Sequence, residues 1–80
     1  MWRVIIQVSL PEKGYDCDLE VPAEIPMTEL AEMIAVALKW PREDGPYEIV
    51  VESTGEKLTN KSLAEAELWD GTHLIFQNPA

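Results

Sequence analysis

Cysteine is nearly absent from the sequence. The 80 residues contain one cysteine, Cys17, so no internal disulfide can form, and a plant-type iron–sulfur cluster, which needs four cysteine ligands, is excluded. A chain of this size must then be stabilised by its apolar core, and a hydrophobic content of 46% is enough for one small domain. We therefore expect a single domain over residues 1–80 in a reducing compartment.

Basic residues and long apolar runs are also scarce. Six Lys and Arg residues stand against 15 Asp and Glu residues, which gives a formal net charge of −9. Nucleic acids and anionic membrane surfaces bind clusters of Lys and Arg, so neither is an expected partner. No apolar run approaches the roughly 20 residues of a membrane span, and we expect no membrane insertion and a cytoplasmic location.

Two alternating segments open the chain. Residues 2–9 place apolar side chains at every even position, which is typical of a strand with that side facing a core: Trp2, Val4, Ile6 and Val8. Pro11 and Gly14 mark a hairpin loop before a second strand at 15–21, which Pro22 ends. Carboxylates occupy its solvent side at Asp16, Asp18 and Glu20. Like charges in a row discourage pairing with another chain, so this strand is predicted at a sheet edge.

The stretch 21–39 predicts one amphipathic helix. Its apolar side chains recur at the spacing that forms a single stripe: Leu30, Met33, Ile34, Ala37 and Leu38. Pro26 in the first turn, or a cap formed by the Thr28 hydroxyl, marks the start to within about two residues. Lys39 and Pro41 mark the end.

The second half of the chain predicts three strands separated by turns. A breaker loop at 41–46 precedes an alternating strand at 47–52 and a strand stub at 56–58. Ser62 predicts a capped helical turn that points Leu63 inward. The last strand, 72–77, follows the turn signal Asp70-Gly71.

The order strand, strand, helix, strand, short strand, strand predicts a two-layer α+β domain. A helix with one apolar stripe and a sheet with one apolar face bury each other. A β-grasp roll fits this order best, with a mixed sheet of four to five strands and one helix packed on one face (ββαββ). The first and last strands then pair in parallel at the centre, because the helical crossover is long enough to connect parallel strands.

The face of this sheet away from the helix carries aliphatic side chains. Placing the last strand between the first and third brings Ile5, Ile75 and Val50 side by side, with His73 and Gln77 beside them. A row of aliphatic side chains on a solvent face predicts a protein-binding patch. Ordinary β-propensity on an exposed sheet is the alternative.

The sequence offers little catalytic or ligand-binding chemistry. Cys17 and His73 are the one pair that suggests a thiolate nucleophile with a base, but an inward cysteine is usually a small core residue and a single histidine at a strand start is usually solvated. The three carboxylates of the second strand have no loop that closes an oxygen cage around a cation. We predict no catalytic residue, no cofactor and no metal site.

Two runs of residues carry a family resemblance. Asp18 to Leu30 read D-L-E-V-P-A-E-I-P-M-T-E-L, and Asp70 to Leu74 read D-G-T-H-L. They resemble the YukD/EsaB family of small bacterial ubiquitin-like proteins, in which D-L-x-V-P-A-x-x-P-x-x-x-L leads into the helix and D-G-x-x-L opens the last strand. The order and spacing of the elements also look like ubiquitin.

The resemblance implies a cytosolic accessory or regulatory component of a type VII (Ess/Yuk, ESX-related) secretion system in Gram-positive bacteria, in its free-standing form. Its partners would be proteins, such as the membrane components or the ATPase of that system. The partner's identity, the oligomeric state, and a regulatory or structural role stay open at this point.

Conjugation chemistry is not expected. Ubiquitin-like modifiers and sulfur carriers react through a terminal Gly-Gly carboxylate, whereas this sequence ends Gln77-Asn78-Pro79-Ala80. Unless the natural terminus is longer or processed, we expect a non-conjugating protein that is not an enzyme. The alternatives are a ubiquitin-like adaptor of an unrelated bacterial complex and, less readily, a modifier or sulfur carrier.

Overall fold

A computed structural model describes residues 2–40 and 47–77. The elements follow in the order β1 (Arg3–Leu10), β2 (Tyr15–Pro22), α1 (Met27–Leu38), β3 (Glu48–Val51), β4 (Lys57–Leu58) and β5 (His73–Gln77). The element types match the predicted order, and the bounds of the long elements differ by one or two residues. The predicted breaker loop, 41–46, lies outside the described residues.

The five strands form one mixed sheet in the order β2-β1-β5-β3-β4. β1 and β5 pair in parallel at the centre, and the other neighbouring strands are antiparallel. One helix covers one face of this sheet, which is the predicted β-grasp arrangement. β2 lies at one edge of the sheet, as its row of carboxylates predicted.

The β1–β2 hairpin is in register from Arg3 opposite Pro22 to Leu10 opposite Tyr15. A single 3₁₀ turn, Pro11–Lys13, connects the strands. Gly14 closes this turn with a φ of 70° and donates its N–H to the Pro11 carbonyl at 3.1 Å. Glycine suits that position because a left-handed φ carries little steric cost without a Cβ.

Backbone conformation and backbone hydrogen bonds, not side-chain caps, end α1 on both sides. Pro26 holds the N-cap position, and the Thr28 hydroxyl donates to Asn60 Oδ1 at 3.2 Å instead of capping the helix, so the predicted hydroxyl cap is wrong. At the other end Lys39 adopts a left-handed φ of 58°, and the Trp40 N–H donates to the Ala35 carbonyl at 2.9 Å. A residue with left-handed φ, followed by a hydrogen bond that spans five residues instead of four, is a common way for a helix to end.

The buried face of α1 is turned away from the predicted stripe. Its buried residues are Met27, Leu30, Ala31, Ile34 and Ala35. The prediction of Met33 and Ala37 as core residues is wrong, because Met33 is 45% exposed and Ala37 is also exposed. Ala31 and Ala35 line a small cavity together with Tyr47 and Ile49. On the other flank of the helix, Met33 and Ala37 line a groove beside β2, the edge strand of the sheet.

Aromatic rings close the core below the helix. Phe76 is fully buried, and Trp40 packs edge-on against it with the ring centroids 5.1 Å apart. Tyr47 packs against the same ring at 5.8 Å. The edge-to-face packing of Trp40 on Phe76 adds to the stabilisation from burial.

The turn at Ser62 forms as predicted. Ser62 N–H donates to Glu65 Oε1 at 2.9 Å, and Glu65 N–H donates to Ser62 Oγ at 3.1 Å. These reciprocal bonds satisfy backbone donors that the turn would otherwise leave free. Leu63, immediately after Ser62, is fully buried, so this turn anchors the β4–β5 connection to the core.

Candidate protein-binding surface

The face of the sheet opposite α1, which we call the outer face, brings together part of the predicted patch. Val50 of β3 lies directly opposite Ile75 of β5, and Ser9 of β1 lies on the other side of Ile75. Lys57 of β4 extends the row beyond Val50. Val50 and Ile75 are both partly exposed.

Ile5 does not belong to that row, so its predicted position beside Ile75 is wrong. The parallel register pairs Ile75 with Ser9, four residues after Ile5, a separation of about 13 Å along a strand. The reason lies in the Asp70–Gly71 turn, which occupies the place beside Ile5 and lets β5 begin only at His73.

Hydrogen bonds hold Ile5 to that turn. Its N–H donates to Asp70 Oδ1 at 2.7 Å, and its carbonyl accepts the Gly71 N–H at 2.9 Å. The turn thus replaces a strand as the partner of this part of β1 and satisfies the backbone groups of Ile5. The Ile5 side chain remains 52% exposed.

Two tryptophans form a second apolar surface at the same end of the sheet. The Trp2 and Trp69 rings contact each other, with centroids 4.9 Å apart. Trp2 is 42% exposed and Trp69 is 54% exposed, so the prediction of Trp2 in the core is wrong. Trp2 lies one residue before β1, where alternation no longer determines burial. In the sequence, the turn signal Asp70-Gly71 directly after Trp69 indicates an exposed position, because turns lie at the protein surface.

Polar groups lie between Ile5 and the Val50–Ile75 pair on the outer face. His73 Nε2 and Ser9 Oγ are 2.6 Å apart, which ties β5 to β1 between Ile5 and Ile75. At the other end of β5, Gln77 is exposed and lies opposite Glu48, whose carboxylate forms an ion pair with Lys57 Nζ at 3.4 Å. The outer face therefore consists of small apolar areas with polar borders.

Cys17 and His73 lie on opposite faces of the sheet. Cys17 packs against the core beneath the helix, whereas His73 lies on the outer face. Burial, followed by the nearby Asp16 and Asp18 carboxylates, raises the pKa of the Cys17 thiol. The thiol is thus mainly protonated near neutral pH, the form that is a poor nucleophile.

The described residues contain no group of three or more His, Cys, Asp or Glu side chains placed to hold a metal ion. Two of the three β2 carboxylates, Asp16 and Glu20, instead make cross-strand contacts. Gln7 Nε2 donates to both oxygens of Asp16 at 2.9 and 3.1 Å, and Arg3 Nε donates to Glu20 Oε1 at 3.1 Å. Within residues 2–40 and 47–77, no helix is long and apolar enough to span a membrane.

Comparisons with known proteins identify the fold and a family match. The family model described as "WXG100 protein secretion system (Wss), protein YukD" matches residues 3–76. No curated protein matches the chain.

Solved structures that resemble the chain are ubiquitin-like. A designed protein based on ubiquitin aligns with a TM-score of 0.74 at 19% identity, covering 98% of this chain and 90% of its own. A ubiquitin-like domain from Arabidopsis thaliana aligns at 0.75 and 13% identity, covering 100% and 81%. The ubiquitin-like domain of the Mycobacterium tuberculosis type VII secretion system protein ECCD1 aligns at 0.64 and 20% identity, covering 96% and 99%. The predicted ubiquitin-like fold is confirmed.

Proposed function

The chain belongs to the YukD family, as its two sequence motifs predicted, and from this premise we propose that it is a non-enzymatic, non-conjugating accessory of a type VII secretion system. The observation that carries the proposal is the family match over residues 3–76, which includes β1 to β4, the helix and all of β5 except its last residue, Gln77. The solved neighbour from a mycobacterial type VII system is consistent with this assignment at the level of the fold. In this proposal the protein works in the cytoplasm.

Protein binding, not catalysis, is the proposed mode of action. The one thiol has a raised pKa, and the one histidine on the outer face bonds Ser9. The outer face, by contrast, has the partly exposed Val50 and Ile75 side by side, and an exposed Ile5 near the start of β1. Aliphatic side chains with polar borders favour a protein partner, because association removes them from water while the border fixes orientation.

We propose that the outer face binds a membrane component or the ATPase of the secretion machinery. The net charge of −9 favours a basic partner surface and speeds the encounter with it. Val50 and Ile75 form the centre of this surface, and His73 and Gln77 lie on its border.

The experiment is affinity purification of the tagged chain from its native host, read by mass spectrometry for co-purified proteins and for the mass of the bait. The test variant carries Val50→Thr and Ile75→Thr, which retain β-branched side chains and so favour continued folding. The matched control is Val36→Thr, an exposed apolar residue on the helix. Circular dichroism verifies that each variant is folded.

We expect wild type and Val36→Thr to recover secretion-system proteins at the unmodified bait mass, and the double variant to lose most of that recovery. Equal recovery by the folded double variant would show that the outer face is not the binding surface. Recovery of components of an unrelated complex alone would overturn the secretion role. Covalent adducts on the bait would make the protein a modifier.

A further inference from the structure

β2 presents an unpaired backbone edge to solvent. Ile5 and Gln7 of β1 form their backbone hydrogen bonds on the β5 side. Antiparallel pairs alternate between bonded and non-bonded positions. The β2 residues opposite them, Glu20 and Asp18, therefore direct their N–H and C=O groups away from β1, toward the open edge. Among the described residues, the Glu20 carbonyl accepts one bond there, from Arg3 Nη2 at 3.3 Å.

An apolar groove runs beside this edge, between β2 and α1. Leu19 and Val21 form its strand side, and Met33 and Ala37 form its helix side. Its volume is about 210 Å³, below the roughly 300–1,000 Å³ of a small-molecule pocket. The groove is thus suited to a few aliphatic side chains of a segment lying along β2.

The other side of the edge is acidic. The Asp16, Asp18 and Glu20 side chains lie on the outer face of β2, and Asp18 makes no hydrogen bond or ion pair with any described residue. A second copy of this edge would place carboxylates opposite carboxylates, which is destabilising. A strand carrying Lys or Arg at the opposing positions would instead form favourable cross-strand pairs.

We propose that the β2 edge binds an extended segment of a protein partner in which aliphatic residues alternate with Lys or Arg. The segment adds a sixth strand to the sheet through the free backbone groups of β2. Because successive side chains of a strand point to opposite faces, its aliphatic residues enter the groove and its basic residues face Asp18 and Glu20. Pro22 lacks an N–H and limits the added strand to about six residues.

This surface is separate from Val50 and Ile75, so it would be a second binding surface of the protein. The carboxylates that repel another copy of β2 also select the partner. One row of side chains thereby prevents self-association and favours a basic strand, which explains why an edge strand with an open apolar groove beside it carries three acids.

The test is an NMR titration of the ¹⁵N-labelled chain with capped eight-residue peptides. The probe peptide alternates valine and lysine. One comparison peptide alternates valine and glutamate, and the other alternates serine and lysine. We expect the valine–lysine peptide to shift the amides of Asp16, Asp18 and Glu20 and to slow their hydrogen exchange. The comparison peptides should bind at least tenfold more weakly.

Matched variants separate the groove from the charges. Met33→Gln removes apolar contact and should weaken binding about fivefold, and Asp18→Lys reverses a cross-strand pair and should weaken it about tenfold. Val36→Gln and Glu56→Lys make the same changes at exposed positions outside the groove and should leave the affinity within about twofold.

The proposal is overturned by equal binding of the comparison peptides, by shifts centred on Val50 and Ile75 instead of β2, or by no loss of affinity in Met33→Gln and Asp18→Lys. Self-association of the wild type, detected by sedimentation and accompanied by shifts of the β2 amides, would assign the edge to a second copy of the chain. That result would also refute the proposal. The Val50→Thr, Ile75→Thr variant should bind the peptide normally, so the test is independent of the outer-face proposal.

Discussion

Asp70 connects the start of β1 to the turn before β5, and its replacement should destabilise the end of the sheet where Ile5 and Trp69 are exposed. The carboxylate accepts the Ile5 N–H at 2.7 Å, at a position where β5 has not yet begun. Asp70→Ala removes the acceptor, whereas Asp70→Asn retains an oxygen of similar shape and reach. The pair of variants therefore separates the hydrogen bond from the other effects of changing the turn.

The expected magnitude follows from the geometry. A hydrogen bond to a charged acceptor contributes about 1.5–3 kcal/mol. The contact is exposed, so water can replace the carboxylate at the Ile5 N–H, and Asp70→Ala should lower the free energy of unfolding by about 1.5 kcal/mol. For a chain of this length, with a urea m-value of about 1 kcal/mol/M, the unfolding midpoint falls by about 1.5 M. Asp70→Asn should cost about 0.5 kcal/mol.

Urea unfolding monitored by far-UV circular dichroism gives the stabilities, and amide hydrogen exchange of Ile5 gives the local effect. Exchange at Ile5 should accelerate in Asp70→Ala and remain near the wild-type rate in Asp70→Asn. If Asp70→Ala unfolds within about 0.5 kcal/mol of wild type with unchanged Ile5 exchange, the hydrogen bond does not stabilise this end of the sheet. Equal destabilisation of the two variants would likewise contradict a role for the hydrogen bond.

Two further predictions concern Cys17 and Ser62. Because folding raises the pKa of the Cys17 thiol, through burial and then the Asp16 and Asp18 carboxylates, iodoacetamide should alkylate the folded chain more slowly than the urea-unfolded chain at pH 8. The ionised thiol favours the unfolded state. The free energy of unfolding of wild type, relative to Cys17→Ala, should therefore fall as the pH rises above about 9.0. An increase of this relative stability with pH would contradict the raised pKa. Ser62→Ala removes the acceptor of the Glu65 N–H and should lower the free energy of unfolding by about 1 kcal/mol in the same urea assay. No change there would mean that water replaces the Ser62 hydroxyl at no cost.

Local patterns predicted the elements well. Alternation located β1 and β2, the i, i+3, i+4 spacing located α1, and the Asp70-Gly71 signal located the last turn. These signals succeed because side-chain direction within one strand or helix depends on neighbouring residues alone. Alternation does not predict the position of Trp2. This residue lies one position before β1 and packs on Trp69 at the surface.

The candidate surfaces depended on contacts between distant segments. The parallel register of β1 and β5 placed Ile75 beside Ser9 instead of Ile5. Alternation specifies the face on which each side chain lies, and both arrangements keep Ile5 and Ile75 on the outer face, so it cannot distinguish them. The length of the turn before β5 decides between them.

The amino-acid sequence alone determined the order of the elements, the inward side of each long strand, the acidic edge and the family, because these follow from local spacing and short motifs. Tertiary structure decided which apolar side chains stay exposed. Met33 and Ala37 belong to the helical stripe by spacing, yet they line an open groove, because β2 is the last strand on their side and no further strand covers them. Burial is a property of what lies across from a residue, and that partner comes from elsewhere in the chain.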